Sequence, residues 1–241
     1  MTSHDEVSDA LDQALGEAAI LSVFQPIWTV DGKLLGFEAL SRFHNGSPPD
    51  EVWALAHKRG VAARLDQVAL RRAIEGSSDL PGRLFLNVTT AHLANPEALK
   101  TFGDPDRVVW EVSERTGIAL TGLDGLRWLK NQDYTIAMDD AGVGHSTIER
   151  LEAIRPEIVK LDRRVVEVWA SGRPEPLRQW VSAATKIGAM VLAEGVEDRR
   201  WVAALAQEGV TAVQGYGLGR PLPPDYWRTV PTATPITDGQ R

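Results

Sequence analysis

Seven short apolar runs in this chain each carry an isolated polar residue near their end. They are Glu38 in GFEALSR, Asn87 in LFLNVT, Glu111 in VVWEVSE, the Asp139–Asp140 pair in TIAMDDAG, Lys160 in EIVKLD, Glu194 in VLAEGVE and Gln214 in AVQGYG. Runs of this length and composition read as buried strands. A lone carboxylate is costly to bury unless it is paired or binds a metal. Repeating that cost in strand after strand makes a poor core, but it suits a catalytic site gathered at one end of a barrel.

The order of elements supports the same reading. LSVFQPIWTV (21–30), Asp31-Gly32 and KLLGFEALSRF (33–43) read as a β-hairpin, because Asp-Gly is a strong turn signal. Pro26 marks the first strand as an edge or as interrupted. A loop at 44–51 precedes a helical region reaching about Glu75. Strands are then expected at 83–89, 107–113, 134–140, 157–162, 189–194 and 211–216, with helices between them. Leu177, Trp180, Val181, Ala184 and Ile187 mark one apolar helix face, and Trp201, Val202, Leu205 and Ala206 another. Ser146 with Glu149 forms a capping-box pattern. Alternation of strand and helix implies a parallel sheet. Eight strands in a chain of 241 residues give an α/β fold, a closed (β/α)8 barrel.

Val7, Leu11, Leu15 and Ala18 lie at helical spacing, so residues 1–14 are expected as a helical extension, open to a partner or an upstream module. Residues 15–229 form one domain, and 230–241 are expected as a disordered tail.

Composition removes several alternatives. Without cysteine there is no disulfide, thiolate metal site or thiol nucleophile. The acidic, polar N-terminus is no signal peptide. No apolar stretch approaches the roughly 20 residues that span a bilayer. A cytoplasmic protein without membrane insertion is therefore expected. A net charge of −7 with no basic run argues against large nucleic acids. An anionic small ligand remains compatible if metals or a few arginines supply positive charge.

Strand residues alternate faces, so the polar series would converge on the barrel mouth while Leu86, Val88 and Val159 pack under the helices. Converging carboxylates repel, and divalent cations relieve the repulsion. The candidate ligands are oxygen donors, which suit Mg²⁺, Mn²⁺ or Ca²⁺ rather than structural Zn²⁺. The adjacent aspartates suggest more than one ion. Two ions about 3.5–4 Å apart can activate water for attack at phosphorus. Lys160 would orient that water or stabilise phosphoryl charge, and Arg42 would fork a phosphate oxygen. Taken singly, Glu38 or Asn87 reads as a strand-end cap, Asp139–Asp140 as a turn, Lys160 as a salt-bridged structural lysine, and Glu194 and Glu197 as helix caps. Those readings would each have to place a polar group at the same strand end by accident. Trp28 or Trp53 would line a base pocket, the other tryptophans serving as core, and His145 reads as a loop residue.

FQPI, FEALSR, LNVT, EVSE, MDDAGVG, PEIVKLD, AEGVE and QGYGLGRP occur here in the order found in the EAL-domain family of cyclic di-GMP phosphodiesterases, which this chain resembles over about residues 15–225. The resemblance implies a (β/α)8 TIM-barrel variant with an antiparallel first strand. It implies hydrolysis of cyclic di-GMP to linear pGpG with two divalent cations, Mg²⁺ or Mn²⁺, Ca²⁺ being an inhibitory substitute. It matches Glu38, Asn87, Glu111 and Asp139 to one ion, and Asp139 and Asp140 to the second. It matches Lys160 to the lysine that contacts the water and Glu194 to a carboxylate near it. Arg42, Gln214 and Gln25 match substrate contacts, and Glu114 and Glu197 supporting acids. The loop after the aspartates departs from the common DDFGTGYSS, with Ala141, Val143 and His145 in place of Phe, Thr and Tyr. That loop is coupled to dimerisation in the family, which makes a homodimer an expected assembly. The segment after Arg42 is short and lacks the usual proline-and-acid pattern.

Two other functions compete. One is an EAL barrel that binds cyclic di-GMP or a protein without hydrolysis. The other is a Schiff-base aldolase using Lys160, which the many carboxylates oppose, since such a lysine is activated by desolvation or a nearby cation.

Overall fold

The computed structural model describes residues 4–16, 20–112, 120–143 and 147–233. Eight strands close into a barrel in chain order: β1 (Ile20–Thr29), β2 (Leu34–Phe43), β3 (Arg83–Val88), β4 (Val108–Val112), β5 (Thr135–Ala141), β6 (Ile158–Leu161), β7 (Met190–Ala193) and β8 (Ala212–Val213). β1 runs antiparallel to both its neighbours, and the other pairs are parallel. This is the expected barrel variant, although β8 is shorter than its apolar run suggested. Around the barrel lie α1 (His4–Leu15), α2 (Pro49–Lys58), α3 (Ala62–Gly76), α4 (Thr90–Leu93), a 3₁₀ helix (Pro96–Phe102), α5 (Leu120–Lys130), α6 (Ile148–Ile154), α7 (Arg163–Ala170), α8 (Glu175–Ile187), α9 (Trp201–Gln207) and α10 (Pro224–Trp227).

β1 passes through Pro26 without a break, pairing it with Phe37 of β2. On the other side β1 meets Leu222 at Phe24 and β8 at Trp28 and Thr29. Pro26 falls in the gap between those contacts, where its missing N–H leaves no partner wanting.

Alternation divides the side chains into two apolar regions. Outward residues, such as Leu86, Val88, Val159 and Leu161, pack under the helices. Inward residues Ile27, Phe85, Val109, Ala137, Ile158, Leu192 and Ala212 meet inside the barrel as a floor. Trp28 follows inward-facing Ile27, so it faces the helix side, is buried in the core and lines neither of the two cavities at the mouth. α8 buries Leu177, Trp180, Val181 and Ala184, as its spacing predicts. α6 is capped by Thr147, whose hydroxyl accepts from the Arg150 N–H at 3.3 Å. The expected cap, Ser146, and His145 lie outside the described residues.

Two terminal expectations change. α1 buries Val7, Ala10, Leu11 and Ala14 against Phe43, Val52, Leu55 and Leu65 of β2, α2 and α3. Each such leucine contributes about 1.5–3 kcal/mol, so this face is used within the chain. The expected tail begins with ordered backbone: the Leu34 N–H donates to the Thr232 carbonyl at 3.0 Å, and Lys33 bridges Ala233. Residues 234–241 lie outside the described residues.

Candidate active site at the barrel mouth

Each strand places its polar residue one inward step above the floor. Phe85 lies below Asn87, Val109 below Glu111, Ala137 below Asp139, Ile158 below Lys160, Leu192 below Glu194 and Ala212 below Gln214. In antiparallel β1 the order reverses, Ile27 lying below Gln25, which pairs with Glu38. The series therefore forms a single layer, because side chains two apart share a face.

Lys160 is the centre of that layer and is 0% exposed. Its ammonium lies 2.6 Å from Glu111 Oε1, 2.9 Å from Asp139 Oδ1, 2.9 Å from Glu194 Oε1 and 3.7 Å from Glu38 Oε1. Gln214 Nε2 donates to Glu38 Oε2 at 2.7 Å, and Asn87 Nδ2 donates to Glu111 Oε2 at 3.2 Å. Burial alone would push Lys160 down, but Asp139, Glu111, Glu194 and Glu38 overcome it and hold the ammonium well above its usual range. Burial pushes the Glu111 carboxyl well up; Lys160 opposes this, while Glu38 and Asp139 reinforce it. Burial likewise raises Glu194 to about 8, against the pull of Lys160. One ammonium is thus too little positive charge for the carboxylates around it.

Asp139 and Asp140 would normally face opposite sides of β5. The register with β6 shifts between Met138 and Ala141, and Asp140 takes φ +55°. This left-handed bulge turns both carboxylates to the mouth. Ala141 is then buried in the helix-side core and pairs with Leu161.

Oxygens of Asp139, Asp140 and Glu194 lie within 4.8 Å of one another. Glu111 Oε1, Asp139 Oδ1 and Gln214 Oε1 are buried without an aligned hydrogen bond. The donors are hard oxygens and positive charge is short, so the site fits divalent cations. The oxygen cluster adds Glu194 to the aspartate pair, and Lys160 contacts Glu194 and Asp139 of that cluster as well as Glu111 and Glu38.

The layer opens into a cavity of about 350 Å³ lined by Gln25, Glu38, Asp139, Asp140, Glu194, Glu197 and Gln214. Arg42 and Asn87 instead line a neighbouring cavity of about 500 Å³, and Leu40 lines both. The second cavity exists because β2 pairs with β3 only from Gly36 to Glu38 and then splays away. The Arg42 guanidinium donates to the Ser41 carbonyl there at 2.8 Å. Gln25 Nε2 donates to the Gly219 carbonyl at 3.1 Å. Glu114 lies outside the described residues.

Asp162, Arg163 and Tyr216 also line the mouth and were not singled out from the sequence. Asp162 was within reach of that reasoning, since it stands two residues after Lys160. It also caps α7, accepting from the Arg164 N–H at 2.7 Å. Trp53 lines the larger of these two cavities. Its Nε1 donates to buried Asp66 at 2.7 Å, and Thr89 Oγ1 donates to the other Asp66 oxygen at 2.7 Å. His92 Nδ1 lies 3.7 Å from that second oxygen. An aspartate within LDQVAL gave no warning of this junction.

Burial lowers His92 from 6.5, with partial opposition from Asp66. The unfolded chain takes up a proton near that pH and the folded chain resists it. Stability should therefore fall as pH drops below about 6.5, because the unfolded state then binds more protons. His92→Gln should flatten this part of the profile, measured as urea midpoints across the range; an unchanged slope would assign it to other groups.

The comparisons with known proteins agree with this architecture. A sequence profile of the EAL domain matches residues 8–221. An uncharacterized signaling protein of Caulobacter vibrioides is 31% identical over 91% of this chain and 30% of its own length. The cyclic di-GMP phosphodiesterase NbdA of Pseudomonas aeruginosa is 29% identical over 92% of this chain and 31% of its own length. The chain thus spans about a third of these relatives. The PaMucR phosphodiesterase in complex with c-di-GMP superposes with a TM-score of 0.78 at 25% identity, covering 92% of this chain and 99% of that one. An EAL domain protein from Listeria monocytogenes shares the fold with a TM-score of 0.81 at 24% identity, over 93% and 96% of the two chains. Among the described residues no helix is long and apolar enough to cross a membrane. With the profile covering most of its length and its motifs forming one layer at the barrel mouth, this chain belongs to the EAL domain family.

Proposed function

We propose that this domain is a metal-dependent phosphodiesterase that opens cyclic di-GMP to linear pGpG. The observation that carries the reading is the cluster of Asp139, Asp140 and Glu194 oxygens above buried Lys160. Asp139, Asp140 and Glu194 would hold one divalent cation, and Glu38, Asn87, Glu111 and Asp139 a second. Bound Mg²⁺ or Mn²⁺ supplies Lewis acidity, acidifying water and offsetting phosphoryl charge. Glu194, at the mouth beside Lys160 and the aspartate pair, is placed to accept the proton of the attacking water. Lys160 holds a fixed positive charge beneath the reacting phosphate. Gln214 fixes the Glu38 carboxylate, and the apolar floor excludes water from below. Two cavities meeting at Leu40 give a dinucleotide room on both sides of its scissile bond, with Arg42 available to a phosphate in the larger one.

Purified protein with Mn²⁺ or Mg²⁺ should convert cyclic di-GMP to pGpG, followed by chromatography. Ca²⁺ should support binding without turnover. Protein that binds the dinucleotide yet leaves it intact with Mn²⁺ and with Mg²⁺ would make the domain a receptor instead.

A further inference from the structure

The segment after β8, QGYGLGR, lies flat on the backbone that follows β7. The Val196 N–H donates to the Gln214 carbonyl at 3.0 Å, and the Gly217 N–H donates to the Val196 carbonyl at 3.0 Å. The glycines on either side of Tyr216 face this contact. A Cβ at Gly215 would stand 2.2 Å from Val196 N, and one at Gly217 would stand 2.3 Å from the Glu197 carbonyl oxygen. No side chain fits in either place. The residue between two such glycines is displayed on the opposite side, towards the mouth.

Tyr216 lines the same cavity as Glu38, Asp139, Asp140 and Glu194 and is 55% exposed. The Arg220 guanidinium carbon lies 4.4 Å from its ring centroid. A cation at this distance is attracted to the ring and fixes its orientation. A tyrosine kept only for packing would be turned inward, where its ring area stabilises the core. Here the close glycine contacts and the stacked guanidinium hold it outward over an anionic, metal-fitting cavity.

We propose that Tyr216, backed by Arg220, is a stacking platform for a purine base of the substrate. The proposal rests on the cyclic dinucleotide reading and deepens it by assigning one guanine to this rim. The larger cavity with Arg42 and Trp53 does not include Tyr216, so the platform serves the end of the ligand away from it. Stacking acts on binding and leaves the phosphorus chemistry to the carboxylate layer.

The test compares wild type with Y216F, Y216L, Y216A and R220A in two assays. In steady-state hydrolysis with Mn²⁺, Y216A and Y216L should raise KM about 5- to 150-fold, the range expected for losing one base–aromatic stack. Their kcat should change little. Y216F should match wild type, and R220A should show a smaller rise in KM. In the second assay, a cyclic di-GMP analogue with 2-aminopurine as one base is bound in the presence of Ca²⁺. Its fluorescence should be quenched by wild type and Y216F and recover with Y216A and Y216L. Unchanged KM and quenching in Y216A and Y216L, or a loss confined to kcat, would overturn the platform. Wild type that quenches the analogue without hydrolysing cyclic di-GMP would sink the phosphodiesterase reading alone, and the quenching comparison would still decide on Tyr216.

Discussion

Asp139→Asn should lower the rate of cyclic di-GMP hydrolysis about a thousandfold, because it removes the carboxylate that would serve both cations and that also contacts Lys160. The substitution keeps size and shape, so the floor and strand pairing should survive. It replaces an anionic oxygen by an amide in a site already short of positive charge, so the loss falls on cation binding. Calorimetric titration with Mn²⁺ should show weakened binding, while far-UV circular dichroism stays as in wild type. A variant that keeps hydrolysis within tenfold of wild type would mean that Asp139 is not a ligand, and the two-ion arrangement would have to be abandoned.

Lys160→Met should have the largest effect on folding. The lysine is fully buried with four carboxylates within 3.7 Å. Removing the only cation among them leaves uncompensated buried charge, a change that costs about 3–5 kcal/mol. For a domain of this size the melting temperature should drop by roughly 6–20 °C. Two further measurements separate charge from packing. Mn²⁺ should restore part of the loss, since an ion bound only by the folded state stabilises it. Glu111→Gln in the same background should restore another part, because it removes one carboxylate that Lys160 had offset. A Lys160→Met protein as stable as wild type without metal would show that the carboxyls are already neutral there.

The sequence made the barrel legible because its evidence is local. A short apolar run with turn residues at both ends shows a strand, and a polar residue of fixed parity shows which way that strand faces. Lys160, Glu111 and Glu194 were placed correctly at one strand end on that basis alone. The alternation would also have turned Trp28 to the helix side, since it follows inward-facing Ile27. What stayed hidden depends on distant partners. Arg42 belongs to the larger cavity because β2 and β3 separate after Glu38, and neither strand's sequence reveals where pairing stops. Asp66 looks like any helix aspartate until Trp53 and Thr89 are brought against it. Thr147 and Ser146 are equally good caps by composition. The strand-like course of residues 232–233 follows from an available edge at Lys33 and Leu34, which lie about 200 positions earlier.

The floor beneath the polar layer limits how such a chain can change length. A single-residue insertion or deletion within a strand exchanges its two faces, turning Lys160 towards the helices and Val159 into the barrel. Strands built this way tolerate length changes in steps of two, so growth by one residue falls in the connections or at a bulge. β5 takes up an odd residue in its final turn, above the floor, where no later inward position must stay in phase, just as β2 takes one up at Leu35 where its register with β1 shifts. Asp140 occupies that place at φ +55°. One strand thereby supplies two adjacent carboxylates to the mouth, and the extra residue leaves the parity of the barrel intact.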